Sequence, residues 1–138
     1  TPAIMEFKQL TDTYRQRMEA YYKAIEQACA SRANGEKINL PPTPSYLLEV
    51  IIPVLCSLAK AMPDYKIKIP DPQTYFPIKG YYRIKVGVTT VGGFPVPEKE
   101  DFSLCFVPMR HAKPSSQKYK VINTENLVQL IMNQLKTN

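Results

Sequence analysis

The sequence has little with which to perform catalysis. His111 is its only histidine, cysteines number three, and glycines number five in 138 residues. Neither a GxSxG pentapeptide nor a glycine-rich phosphate loop occurs, so nucleophile-elbow and P-loop chemistry leave no signature. Cys29, Cys56 and Cys105 are widely spaced and form no CxxC, which points to neither a disulfide framework nor a zinc site. Reduced thiols in a cytoplasmic compartment are the expectation, and no signal-peptide pattern is visible. Cys105 and His111 are six residues apart; a working pair also needs a third group to orient the imidazole. The acidic run Glu98, Glu100 and Asp101 lacks the ligand spacing of a calcium loop. The expectation is a non-enzymatic protein with no catalytic residues, metal or cofactor.

A membrane-spanning segment is also missing. The most apolar stretch, Tyr46 to Met62 (YLLEVIIPVLCSLAKAM), has only 17 residues and includes Glu49, Pro53 and Lys60. That is at the short limit for a span and carries charge inside it. Apolar residues surround any helix drawn through it, which is the pattern of a buried core helix. Thr43 and Pro44 suit its N-cap and first turn, Pro63 ends it, and Pro53 predicts a kink.

The chain is long enough for one domain, 1–138, with a continuous core. Hydrophobic residues make up 44% and charged residues 22%, a globular composition. Thirteen prolines cluster at joints between elements. Residues 2–33 read as one long helix, opened by Thr1-Pro2 and closed by Asn34-Gly35. Its apolar stripe runs Phe7, Leu10, Tyr14, Met18, Tyr21, Ile25, Ala28. At ~1.5 Å per residue such a helix reaches about 48 Å, and part of it is expected to project from a globular core over 44–138.

Strands are expected from alternation: Asp64–Ile69, Tyr81–Val91, Phe102–Val107 and Lys118–Ile122. The second and third would form a hairpin across a long loop, 92–101, with Phe94 at its tip. Thr124 would cap a last helix packing through Leu127, Leu130, Ile131 and Leu135. The order of elements predicts an α+β fold: a long N-terminal helix and a buried central helix on an antiparallel sheet of about four strands, with a C-terminal helix.

Net charge is +6, and its placement is uneven. Residues 64–123 carry ten Lys/Arg and five Asp/Glu, against seven and six in residues 1–63. On the outward face of the sheet this alternation places Lys66, Lys68, Tyr81, Arg83, Lys85, Lys118 and Lys120. Cations there can contact phosphates and an aromatic can stack on an unpaired base; lysines on a sheet also prevent edge-to-edge pairing. Two functions follow from these features. One is an interaction or assembly protein that uses Tyr14, Met18, Tyr21 and Tyr22 on the first helix and Phe94 on the loop to bind a protein partner or itself. The alternative is a nucleic-acid-binding domain using the basic face. Arg17 interrupts the helical seam, which argues against a regular coiled coil.

Overall fold

A computed structural model of the chain describes residues 7–35, 42–97, 102–111 and 113–137. The expected Thr1-Pro2 start and the acidic run at 98–101 lie outside them. The architecture is α+β, three helices with an antiparallel sheet.

Helix α1 is Phe7–Ala33. It ends as its sequence dictates, with Gly35 at φ +82 and its N–H donated to the Arg32 carbonyl at 3.0 Å. The central helix opens with a π-helical turn, Leu47–Ile51, and continues as α2, Ile52–Ala61. Ser45, not Thr43, caps it: the Ser45 hydroxyl accepts the Leu48 N–H at 3.2 Å. Thr43 instead donates to the Tyr21 hydroxyl at 3.0 Å. The wide turn accounts for Pro53. In α geometry its ring would crowd the Glu49 carbonyl; here the Ile52 N–H reaches back five residues to Leu47. Helix α3 is Thr124–Thr137. Its cap is Asn123, whose side-chain oxygen accepts the Asn126 N–H at 2.9 Å, while the Asn126 side chain accepts the Ile122 N–H at 3.0 Å. Thr124 was expected in that role; its hydroxyl shares a hydrogen bond with Ser57 of α2.

The sheet differs from the sequence expectation at two places. The predicted single strand Tyr81–Val91 is a tight hairpin, β1 (Tyr81–Val86) and β2 (Thr89–Pro95), turning at Gly87-Val88. Gly87 has φ +63, and a glycine at the first position of a two-residue loop matches the twist of the flanking strands. Val88 is 99% exposed at that turn. The predicted 92–101 loop therefore shortens, because Gly92, Gly93, Phe94 and Pro95 belong to β2. Strand β3, Cys105–Arg110, pairs with β2, and the short β4 (Lys113–Pro114) and β5 (Tyr119–Lys120) lie along its other edge.

The second difference is Asp64–Ile69, which forms no strand. Ile67 makes a single bridge to Val86, and the Ile67 N–H folds back to the Tyr65 carbonyl at 3.0 Å. Pro63 and Pro70 bracket the segment, and neither has an N–H with which to extend the ladder. It still follows the outer edge of β1: Gly87 donates to the Lys66 carbonyl at 2.7 Å, and Lys68 donates to the Lys85 carbonyl at 3.2 Å. Farther along, Ile78 and Tyr81 pair across a two-residue turn with Lys79 at φ 54 and Gly80 at φ 84.

The core lies between the helices and the inner sheet face. It joins Phe7 and Tyr14 of α1, Val50, Ile51, Val54, Leu55 and Leu58 of the central helix, Leu127 and Ile131 of α3, and Tyr82, Ile84, Phe94 and Phe106 of the sheet.

Candidate functional site

The strand order decides what the basic residues can do together. The edge segment 64–69 lies beside β1, then come β2, β3 and the β4/β5 edge. With about 4.8 Å between neighbouring strands, Lys68 and β5 are roughly 19 Å apart. That exceeds the screening length at physiological salt, about 8 Å. The predicted set therefore does not form one continuous patch.

Lys68, Arg83 and Lys85 converge. They line one cleft of about 610 Å³ on the outer face, closed on its far side by the loop 69–78. On β1, Tyr82 and Ile84 are buried while Lys85 is exposed and Arg83 half-buried, so alternation aims both cations outward. Lys68 is carried alongside by its backbone bond to Lys85. Among the described residues neither Arg83, Lys85 nor Lys68 has a carboxylate within salt-bridge distance. The Arg83 Nε is buried and has no hydrogen-bond partner, and an orphan buried donor is costly. Asp71 also lines the cleft, but its Oδ1 is turned onto the Gln73 N–H at 2.9 Å.

The cleft's apolar side comes from the loop between the edge segment and β1. Tyr75, Phe76 and Ile78 line it. Tyr75 lies flat on Tyr82, rings 6.2 Å apart at 23°, and its hydroxyl donates to the Arg83 carbonyl at 3.4 Å. Burial raises the Tyr75 hydroxyl pKa above its ordinary value, with the Arg83 charge partly opposing. Phe76 is 74% exposed and Ile78 is 48% exposed. A signal for them was present in the sequence: Pro70, Pro72 and Pro77 bracket Tyr75-Phe76.

The other predicted residues fall elsewhere. Tyr81 and Lys118 line a separate depression of about 480 Å³ with Lys79 and Val107. Lys120 is exposed on β5 opposite Cys105. Lys66 is exposed on the edge segment and lies outside the cleft. Phe94 is fully buried in β2, a correction to its placement at a loop tip. Its partner in the hairpin, Tyr82, faces the core, and the strand's alternation takes Phe94 there too.

On α1, Tyr14 is 6% exposed, with its ring edge-on to Tyr46 at 5.1 Å and to Phe102 at 5.3 Å. It is an internal contact, which corrects its reading as an interface residue. Met18 is partly buried against the core, and Tyr21 is tied to Thr43. Tyr22 alone of the four is strongly exposed, at 54%. Arg17, the seam interruption, forms an ion pair with Glu49 of the central helix.

Cys105 and His111 lie beyond opposite ends of the β3 pairing with β2 and are six residues apart along an extended chain, about 20 Å at ~3.3 Å per residue. They cannot act as a pair. Among the described residues no three His, Cys, Asp or Glu are grouped to hold a metal ion, and no helix is long and apolar enough to cross a membrane. Comparison with protein-family models, with curated proteins and with solved structures finds no match to this chain.

Proposed function

We propose that this protein is a non-catalytic binding domain that takes single-stranded nucleic acid on the outer face of its sheet. The observation that carries this reading is the convergence of Lys68, Arg83 and Lys85 on one cleft, without carboxylate partners among the described residues, beside an exposed aromatic. Free cations attract phosphate. A cationic sheet face with an exposed ring beside it accommodates unpaired bases, whereas reading a duplex groove calls for an inserted helix or ribbon.

The test is binding of a labelled single-stranded oligonucleotide followed against salt. Three phosphate contacts give a slope of about −2 in log K against log salt for a single strand. Arg83→Glu with Lys85→Glu is expected to abolish binding, while Lys118→Glu with Lys120→Glu, on the far edge, has a much smaller effect. No binding to any oligonucleotide at low salt overturns the reading.

Assembly through α1 is the second reading, and Tyr22 is the specific observation that favours it. Its exposed ring lies 6.0 Å from that of Tyr21 and borders a depression lined also by Met18 and Phe102. Tyr22→Glu is the variant to make, since Tyr14 is internal. Sedimentation of the wild type as a monomer at all concentrations excludes self-association.

A further inference from the structure

We propose that Phe76 is the stacking platform for one unpaired base of the bound strand, with the adjoining phosphate held by Lys68, Arg83 and Lys85. The inference rests on the nucleic-acid reading above and gives it a residue that acts through base stacking, not charge. Phe76 is exposed yet held from both sides. Before it, Asp71 accepts the Thr74 and Tyr75 N–H groups at 3.1 and 2.9 Å, and Tyr75 is pinned by ring and hydroxyl to β1. After it, Pro77 limits the backbone of the residue that precedes it, and Ile78 is paired to Tyr81. An exposed ring on a backbone already held at both ends costs little backbone ordering on binding. The cleft it borders carries three cations against the single carboxylate of Asp71, so the charge complement of an occupant is anionic. Phosphate beside a planar apolar base matches both features; an acidic peptide matches only the charge.

The protein has no tryptophan, so Phe76→Trp introduces a single reporter at an exposed position where folding is not at stake. A short oligothymidylate is titrated against this variant, with binding followed by the anisotropy of a label on the strand and stacking by tryptophan emission. An abasic strand of the same length and a polyglutamate chain serve as competitors. The expected result is quenching by the oligothymidylate and not by the abasic strand. Phe76→Ala is expected to weaken binding about five- to a hundredfold with an unchanged salt slope. Equal binding of the abasic strand with no change in emission, or equal competition by polyglutamate, overturns the proposal for Phe76. In the first of these cases the basic-face reading survives. Absence of any oligonucleotide binding by the wild type overturns both.

Discussion

Gly92 lies in the middle of a strand because Phe106 occupies the place where its side chain would be. A Cβ built on Gly92 collides with the Phe106 ring and lies 2.8 Å from the Val107 carbonyl. The two glycines thus serve close packing within the sheet rather than a turn. Gly93 is less constrained, its nearest neighbour being the flexible end of Met109 at 3.0 Å. Gly92→Ala is expected to cost about 1–3 kcal/mol, the range for overpacking a filled core, and Gly93→Ala distinctly less. Urea unfolding of the two variants decides this; equal costs would remove the argument from Phe106.

At the scale of elements, α1 docks on the central helix through a polar contact as well as an apolar one. Arg17 reaches the Glu49 carboxylate, which sits in the π-helical turn and is largely buried, and the second Glu49 oxygen has no partner. Because the Arg17 end of the pair is mostly exposed, the Coulombic part is screened and small. The larger effect of deleting Arg17 comes from leaving the carboxylate without its cation. Arg17→Ala should destabilise by about 1–2 kcal/mol, and a following Glu49→Gln should recover part of the loss. Additive effects in the double variant would show that the pair does not couple the helices. The 69–78 loop is the other element held by specific contacts. Its prolines and the Asp71 turn fix it over the β1 edge, and that edge is where the cations converge.

Across the whole molecule a chain of aromatic rings runs from the cleft to α1. Tyr75 meets Tyr82, Tyr82 meets Tyr46 at 5.8 Å, Tyr46 meets Tyr14, and Tyr14 meets Phe102. Burial raises the hydroxyl pKa of Tyr14, Tyr75 and Tyr82 above the ordinary value of 10.0. The folded chain therefore keeps these protons at a pH where the unfolded chain has released them. Their contribution to stability is complete below about pH 10 and is lost as pH rises through the folded-state values. The urea midpoint should fall as pH rises above about 10, the unfolded-state value, and Tyr82→Phe should reduce that fall. A Tyr82→Phe profile identical in shape to the wild type would contradict this.

Much of the architecture was legible from local signals. The apolar surround of Tyr46–Met62, the stripe on α1, the Gly35 stop and the alternation of Tyr82 and Ile84 against Arg83 and Lys85 each depend on periodicity and backbone preference, and a sequence states these directly. The split of Tyr81–Val91 was legible too, in Gly87-Val88, but alternation runs on through a two-residue turn and conceals it. Contacts between distant segments were not legible. Phe94 and Tyr14 are aromatic at spacings that suit either a surface or a core, and only their packing partners distinguish the two. The same holds for the cations: residue type and face were set by the chain alone, whereas strand order separated Lys118 and Lys120 from Lys68, Arg83 and Lys85. Proximity across a sheet depends on which edges pair, and pairing is a property of the folded core as a whole.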